Sequence, residues 1–551
     1  MVLPPLTFPP SQSWIRAAFC DRVAVVVITL AAAAAAFTFR SYGLGWDDFT
    51  HAQYGDLLIK YYGSGFSDQR ALSFVNLYFY GGGFDMAAAL LAKLLPTGLF
   101  ETRRLAGALI GVIGLIVTWR LARRIGGPVA GLAAVVLLAA CPMFFGHMLM
   151  NPKDAPFAVA MIILLLALVR LLSEYPRPTP AGIALFGLGL GLSIGSRTLG
   201  VLAGVYMLAA MALLLAVEAK TKGIREALAR ACQFILYLLP GFVLAYGVMA
   251  VVWPWSVQEA LNPWLALTYF YHFFEAPWRE LFDGRLILVP DMPRTYLPTL
   301  LALRVPEIFF ALGICGALGA GYAATRRDIP LRQRAIFVCV AMAALFPIVL
   351  TIAVRPAMYN GIRHFVFLMP PIAVLGGLAG AWLIEAARRR FRFGATTAVA
   401  VLAVGVTLPV VEMVRLHPYE YTYYNHFIGG VSGAQGRFML DYWGLSLKQA
   451  SQALEAKIAA DKIPHPSGRR WKLAVCGPHR SPEVELGPDF EITWDPQGAD
   501  FAMMLGVFYC REFDAPVMAE IRREDVLYAR VYDLRGRSYP TLLNPYPTRP
   551  Y

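Results

Sequence analysis

The chain has 551 residues, of which 58% are hydrophobic and 15% are charged, and its net charge is +13. Because soluble proteins carry about 25% charged residues, this composition argues against a soluble protein and indicates a chain that folds in lipid. The seven cysteines show no zinc-site spacing.

Eleven apolar segments are predicted to span the membrane, since a span needs about 20 apolar residues. The first is expected to be a retained span, because no small-residue cleavage site follows it. Leu90–Leu95 is too short to span and is expected to lie at the interface. The predicted spans are 22–39, 104–120, 128–146, 155–172, 181–195, 199–217, 234–252, 305–324, 335–354, 365–386 and 395–413.

Lysine and arginine give these spans an orientation, because cytoplasmic loops are enriched in both. Alternate loops carry the basic clusters Arg120, Arg123 and Arg124; Arg177; Lys220, Lys222, Arg225 and Arg230; Arg326, Arg327, Arg332 and Arg334; and Arg388, Arg389, Arg390 and Arg392. These loops and the N-terminus are therefore predicted to be cytoplasmic, in a bacterial inner membrane. The positive charge then follows from topology, so nucleic-acid binding is not indicated.

The opposite loops are predicted to face the periplasm. They include two long loops, 40–103 and 253–304, within a membrane domain of residues 1–413. Residues 414–551 are no longer membrane-like and are predicted to form a small periplasmic α/β domain. Its predicted elements are a helix at Leu447–Asp461 and strands at Lys472–Cys476, Phe490–Trp494, Asp500–Gly506 and Val526–Leu534.

Acidic residues cluster where the outer loops meet the membrane. Asp47 and Asp48 are adjacent, with His51 one helical turn away. Asp154 ends the sequence Asn151-Pro152-Lys153-Asp154, which lies between the third and fourth predicted spans at their outer ends. An aspartate here is a candidate general base towards an acceptor hydroxyl. Ordinary helix capping is the alternative interpretation for both places.

Cationic residues occur at the same outer level. Arg197 lies in a tight turn, and a second cluster contains Arg355, Tyr359, Arg363 and His364 before an apolar run. Arginine binds phosphate through two parallel hydrogen bonds, so these residues indicate an anionic head group. Snorkelling to the interface is the alternative for Arg197.

Residues of the outer domain have more general interpretations. Tyr419–Tyr424 is interpreted as an interfacial anchor, although stacking on sugars is the alternative, and Asp441 and Trp443 are interpreted as packing residues. Cys476 and Cys510 end two predicted strands in an oxidising compartment, so a disulfide between them is a hypothesis.

Taken together, these motifs resemble the C-type glycosyltransferase superfamily. They are the Asp-Asp pair, Asn-Pro-Lys-Asp, Ser196-Arg197-Thr198 and Arg363-His364-Phe365 before Pro370-Pro371. The resemblance covers about residues 20–415. It is closest to the bacterial protein O-mannosyltransferase-like group, with the lipid A aminoarabinose transferase as a more distant relative.

The resemblance implies an inverting hexosyl or pentosyl transfer from a polyprenyl-phosphate sugar to a lipid, glycan or protein acceptor. Asp47 or Asp48 would be the base, Asp154 a second acid, and Arg197, Arg363 and His364 the phosphate ligands. Lys153, His51, Arg355 and Tyr359 would be accessory residues. Family members often have Asp-Glu where this chain has Asp47-Asp48, which leaves the identity of the base open. No metal is expected to be required, although Asp47, Asp48, Asp154 and His51 offer ligands for a divalent ion.

Three other classes compete with this interpretation. A transporter or flippase would place charges at mid-membrane and show repeated halves, neither of which is seen in the sequence. A scaffold would not need clustered acids and arginines on one face. An O-antigen ligase type would concentrate arginines in a large outer loop, whereas 253–304 contains Arg279, Arg285, Arg294 and Arg304.

Overall fold

A computed structural model describes residues 14–271 and 278–545. Within these residues, nine helices are long and apolar enough to cross a membrane, and Pro180–Ser196 is a shorter apolar helix. The chain is therefore a multi-pass membrane protein.

The membrane part is built from helices that follow one another closely along the chain. They are α1 (Trp14–Thr38), α2 (Asp48–Gly63), α3 (Gly83–Leu94), α4 (Leu99–Ala139), α5 (Pro142–Met150), α6 (Asp154–Glu174), α7 (Pro180–Ser196), α8 (Leu202–Lys222), α9 (Ile224–Val252), α10 (Asn262–Tyr271), α11 (Tyr296–Arg304), α12 (Glu307–Thr325), α13 (Leu331–Val354), α14 (Met369–Arg390) and α15 (Gly394–Leu416).

The long helix α4 contains the predicted span 104–120 and most of the predicted span 128–146, which ends inside α5. Helix α4 is interrupted at Gly127, whose φ of 82° is not helical, and Pro128 follows. A proline at this point has no N–H to donate, which helps the second half begin in a new direction. The number of eleven crossings stays a prediction.

Glycines allow α7, which corresponds to the shortest predicted span, to pack closely against α9. A Cβ added at Gly187 would lie 2.7 Å from the carbonyl oxygen of Gly241, and one at Gly191 would lie 2.6 Å from that of Ala245. Both contacts are with α9. Small residues at a spacing of four allow two membrane helices to approach at backbone distance.

The chain after α15 ends in a sheet domain with a hydrophobic core of its own, which begins at Leu447. The helices after α15 are α16 (Gly430–Ala434), which belongs to the core of the membrane part, and α17 (Leu447–Ala460) and α18 (Arg480–Leu486) of the sheet domain. Strands β1 (Arg279–Phe282) and β2 (Arg285–Leu288) form a hairpin in the second long outer loop. The domain sheet consists of β3 (Trp471–Cys476), β4 (Phe490–Thr493), β5 (Phe501–Leu505), β6 (Val517–Arg523) and β7 (Val526–Asp533), in the order β4-β3-β5-β7-β6.

The expected fold class, a polytopic helical protein with a small α/β domain, is confirmed. Strand β6 was not predicted, because its sequence, Val-Met-Ala-Glu-Ile-Arg-Arg, has neither the apolar run of a buried strand nor a regular alternation, and it forms the exposed edge of the sheet. The sulfur atoms of Cys476 and Cys510 lie at bonding distance and form a disulfide at the end of β3.

The segment between α15 and α17 packs against the membrane helices. Tyr419, Tyr421, Phe438 and Trp443 belong to the same buried core as α4 and α14, whereas the separate core of the sheet begins at Leu447. Arg304, which is fully buried, donates to the main-chain oxygens of Tyr421 and Tyr423. This segment thereby reaches the outer ends of the spans.

Candidate active site

Asp47 is a partly open acid at the start of α2. Its Oδ2 atom lies 3.1 Å from Nζ of Lys153 and 3.8 Å from Nη1 of Arg363, and 31% of its side chain is exposed. Burial alone would raise the pKa of Asp47, but the charges of Lys153 and Arg363 outweigh it and lower the pKa below its usual value. The carboxylate is therefore ionised and accessible.

Asp48 has a different environment from its neighbour. Its carboxylate is buried and accepts two hydrogen bonds from Arg104, at 2.9 and 2.7 Å, and a third from the N–H of Gly45 at 2.8 Å. Arg104 also donates to the main-chain oxygens of Gly43 and Met150. Asp48 thus ties the loop before α2 to α4 and α5.

Asp154 begins α6 and is held from two sides. Asn151 donates from Nδ2 to Oδ2 of Asp154 at 2.6 Å, and Arg197 forms an ion pair with Oδ1. The side-chain oxygen of Asn151 accepts the N–H groups of Lys153 and Asp154, which starts the helix. Asp154 is therefore a buried acid that positions Arg197.

Two cations lie over one aromatic ring beside these acids. Nζ of Lys153 is 5.0 Å and Cζ of Arg197 is 5.5 Å from the centroid of the Tyr80 ring. Such contacts hold a cation without neutralising it. Tyr80 brings the two cations, from different loops, to one side of the site.

Arg363 is clamped between two further rings. Its Cζ atom lies 5.0 Å from the centroid of Tyr359 and 4.8 Å from that of Trp443, and its Nε donates to Nε2 of His364 at 3.2 Å. The structure thus brings Asp47, Lys153 and Arg363 into one cluster. His364 adjoins it through Arg363, and the ion pair of Asp154 with Arg197 adjoins it because Arg197 and Lys153 lie over the same Tyr80 ring.

Two predicted accessory residues have other partners. Nδ1 of His51 lies 2.6 Å from Oδ2 of Asp85, which also pairs with Arg103, and all three side chains are buried. Arg355 donates to the main-chain oxygen of Met292 at 3.0 Å. These contacts indicate structural roles for His51 and Arg355.

An apolar groove leads away from the cationic cluster. Its volume is about 490 Å³, and Tyr80, Arg197, Tyr359 and His364 form its polar end. The remainder is lined by side chains of α8 and the turn before it, of α10 and α13, and of the segment before α14. They include Leu199, Leu202, Trp264, Leu267, Pro347, Leu350, Val354, Phe365 and Phe367. The groove suits a long apolar chain whose head is an anion.

The acids do not converge as metal ligands would. Among residues 14–271 and 278–545, no group of three or more His, Cys, Asp or Glu side chains is arranged to hold a metal ion. Asp48, Asp154 and Asp47 each face an arginine or lysine instead. The dependence of the protein on a metal stays an open prediction.

Several residues of the site were missed from the sequence. Tyr80 had no local signal, but Arg103 and Arg104 lie near the start of α4, on the side that is predicted to be periplasmic and where cations are rare. Trp443 was interpreted as a packing residue, yet its ring contacts Arg363. Tyr442 and His147 are 3.3 Å apart, and His147 contacts Asn151, so the tail is linked to Asp154 as well.

The sequence matches one family model over part of its length. Residues 84–255 match the family described as dolichyl-phosphate-mannose-protein mannosyltransferase, which is less than half of the chain. No curated protein sequence matches the chain significantly.

Solved structures of similar fold come from archaea and bacteria. The Archaeoglobus fulgidus oligosaccharyltransferase AglB, in complex with an inhibitory peptide and a dolichol-phosphate, is 11% identical with a TM-score of 0.50, and the match covers 90% of this chain and 70% of that chain. An Archaeoglobus fulgidus oligosaccharyltransferase in the apo form is 13% identical with a TM-score of 0.49, and the match covers 84% of this chain and 63% of that chain. ArnT from Cupriavidus metallidurans in the apo state is 16% identical with a TM-score of 0.46, and 96% and 99% are covered.

The chain spans 63% of the length of the apo archaeal enzyme. The chain therefore has the C-type glycosyltransferase fold, and its residues 84–255 resemble the mannosyltransferase family, as the sequence motifs do.

Proposed function

We propose that this protein is an inverting glycosyltransferase that moves a sugar from a polyprenyl phosphate to an acceptor hydroxyl on the periplasmic face of the bacterial inner membrane. The observation that carries the proposal is the apolar groove of about 490 Å³ with Arg197 and His364 at its polar end, beside Asp47, Lys153 and Arg363. The proteins of similar fold include one in complex with a dolichol-phosphate, which supports this choice of donor.

The donor fits the site in two parts. The polyprenyl tail lies in the groove, where burial of its apolar surface supplies most of the affinity. The phosphate lies at the polar end between Arg197, Lys153 and Arg363. Because these cations come from three separate loops and are fixed by Tyr80, Tyr359 and Trp443, they are aligned before the reaction begins.

The chemistry is a single displacement at C1 of the sugar. The acceptor oxygen forms a bond to C1 while the bond from C1 to the phosphate oxygen breaks, and the phosphate leaves with the electron pair. Lys153, Arg197 and Arg363 stabilise the charge that develops on the phosphate, and Asp47 takes the proton of the hydroxyl. Attack from the side opposite the phosphate inverts the configuration.

The cations also adjust the strength of the base. Without donor, Lys153 and Arg363 hold the pKa of Asp47 low, which makes it a weak base. Once the donor phosphate shares their charge, the pKa of Asp47 rises and the carboxylate accepts a proton more readily. Donor binding therefore activates the base.

The activity is tested with purified protein in detergent, undecaprenyl-phosphate sugars and an envelope extract as acceptor. Wild-type protein should release free undecaprenyl phosphate only when both substrates are present. Arg363→Ala should lower the rate about 100-fold, because one fixed cation is lost from the transition state. Arg437→Ala is the control, since that arginine is exposed and pairs with Asp283 on the outer hairpin. Movement of intact lipid-linked sugar across proteoliposomes without release would instead establish a flippase.

The orientation is tested by labelling intact cells with an impermeant thiol reagent. Ser467→Cys, in an exposed loop of the sheet domain, should be labelled, whereas Lys222→Cys, at the end of α8, should react only after lysis. The reverse pattern would place the site on the cytoplasmic face.

A further inference from the structure

Three aromatic rings meet where α2 begins and the sheet domain touches the membrane part. The rings of Trp46 and Trp494 have centroids 6.2 Å apart with planes at 13°, and His479 stacks on Trp494 at 4.0 Å. Trp46 directly precedes Asp47 in the chain. Although these rings stack on each other, 41% of Trp46 and 50% of Trp494 remain exposed.

The rings from the sheet domain lie at one defined edge. Strands β3, β4 and β5 are parallel, and His479 and Trp494 follow the carboxyl ends of β3 and β4. Strand β4 is the edge strand beside β3, so both rings lie at one corner of the sheet. In open α/β sheets, ligands bind outside the carboxyl ends of the parallel strands.

This edge also faces the candidate active site. A Cβ at Gly444 would lie 2.6 Å from Pro478, which comes after β3, and the neighbouring Trp443 contacts Arg363. A Cβ at Gly45 would in turn lie within 2 Å of the Trp443 ring, at 1.6 and 1.9 Å from two of its atoms. The aromatic cluster and Asp47 are therefore held by one continuous set of contacts.

The surroundings of the rings are polar. Arg480, Glu483 and Asp495 are exposed beside His479 and Trp494, and Arg480 also lies over the ring of Phe49. Charged side chains around an aromatic face are unsuited to lipid, where they would be costly. They suit a ligand that has both hydroxyl groups and an apolar face, which is the chemistry of a sugar ring.

We propose that Trp46, Trp494 and His479 form a subsite for a sugar ring of the acceptor, so that the acceptor is a carbohydrate, either a glycan or a glycolipid. The proposal rests on the function proposed above. The weakly positive C–H face of a sugar packs against the part of the electron-rich tryptophan rings that their mutual stacking leaves exposed. Its hydroxyls are then held next to Asp47, because Trp46 and Asp47 are adjacent at the start of α2.

The acceptor class is tested on the envelope extract itself. One portion is treated with periodate, which cleaves vicinal diols of sugars, and another with proteinase K. Transfer of labelled sugar should be lost after periodate and retained after proteinase K. Loss after proteinase K with retention after periodate would overturn the proposal in favour of a protein acceptor.

The subsite is tested with three variants. Trp494→Ala should raise the half-saturating acceptor concentration at least about fivefold while undecaprenyl-phosphate binding is unchanged, and Trp494→Phe should restore most of the loss. Phe427→Ala is the control, because Phe427 is a similarly exposed ring elsewhere on the outer segment. An unchanged acceptor dependence in Trp494→Ala would overturn the subsite.

A direct binding measurement separates this proposal from the proposed function. Saturation-transfer NMR on the full chain in detergent uses the oligosaccharide mixture released from the envelope by mild acid. Transfer to sugar protons in wild type that is lost in Trp494→Ala supports the subsite even if no enzymatic turnover occurs. Equal signals in both proteins, or no signal in wild type, would overturn the subsite even if turnover is observed.

Discussion

The ammonium group of Lys153 lies 3.1 Å from the carboxylate of Asp47, which joins the residue before α6 to the start of α2. The same ammonium lies over the ring of Tyr80. Of the two adjacent acids, Asp47 thereby faces a partly exposed lysine, whereas Asp48 is fixed by the buried guanidinium of Arg104. The pair of Asp47 and Lys153 is the resting form of the base that we propose.

Replacing Lys153 tests this pair through the pH profile. In Lys153→Met, the pKa of Asp47 should rise, because the largest favourable charge beside the carboxylate is removed. The acidic limb of the plot of kcat/KM against pH should then move to higher pH, and the KM for donor should increase. Lys448→Met, which removes an outer lysine paired with Glu485, should leave the limb in place. If the acidic limb of Lys153→Met lies at the same pH as that of wild type, the limb does not arise from titration of Asp47.

Asp48 should matter for stability more than for chemistry. Asp48→Asn leaves the buried guanidinium of Arg104 without its counter-ion, and breaking a buried pair in this way costs about 3–5 kcal/mol. The thermal midpoint in detergent should fall clearly. Asp68→Asn, which breaks an exposed pair with Arg70, should change the midpoint little. Equal midpoints for Asp48→Asn and wild type would contradict the structural role.

Glu280 should make stability depend on pH near neutrality. Burial raises the pKa of this hairpin residue to about 7, although its carboxylate accepts the N–H of Asn360 at 2.9 Å. Between its ordinary value near 4.5 and about 7, the folded protein binds the extra proton, so stability is greatest at acidic pH and decreases as the pH rises through this window.

The measurement is the thermal midpoint of wild type and Glu280→Gln from about pH 5 to about pH 8. Wild type should lose up to about 3 kcal/mol across the window, and the variant should lose much less. Glu259→Gln, an exposed glutamate in the same outer loop, is the control. A wild-type profile that rises with pH in this range would contradict the assignment.

The groove should select donors by their tails. Leu350→Trp, on the groove face of α13, should lower the affinity for undecaprenyl phosphate but leave that for a short-chain analogue unchanged, because the ring occupies the space of the tail. Leu345→Trp makes the same change on an exposed face of α13 and serves as the control. An equal loss of affinity for undecaprenyl phosphate and for the short-chain analogue would indicate that the substitution disturbs the phosphate site instead.

Much of the fold could be predicted because lipid restricts the backbone strongly. Apolar length predicted the long membrane helices, although the number of eleven crossings and their orientation stay predictions, and the helix at Leu447–Ala460 was predicted almost to the residue. The gap between the second and third predicted spans, 121–127, coincides with the break in α4 at Gly127, which Pro128 follows. Strand β6 was missed, because an exposed edge strand lacks the apolar pattern of a buried one.

The residues of the site could be predicted from the sequence, but the contacts between them could not. The sequence analysis predicted that Asp47, Asp48, Asp154, Arg197 and Arg363 lie on one face of the membrane. It could not separate Asp47 from Asp48, because the difference lies in Arg104, which is 56 residues away. Likewise, the contact of Trp443 with Arg363 depends on how the tail packs on the spans, which no local pattern encodes.

The most direct test of the account is single-turnover transfer by Asp47→Asn with donor already bound. Asparagine keeps the shape but cannot accept the proton, so undecaprenyl phosphate should still bind while transfer slows by about 100-fold or more. Asp48→Asn, compared at a temperature where it remains folded, should transfer at a rate within about tenfold of wild type. Rapid transfer by Asp47→Asn together with loss in folded Asp48→Asn would contradict the assignment of Asp47 as the base.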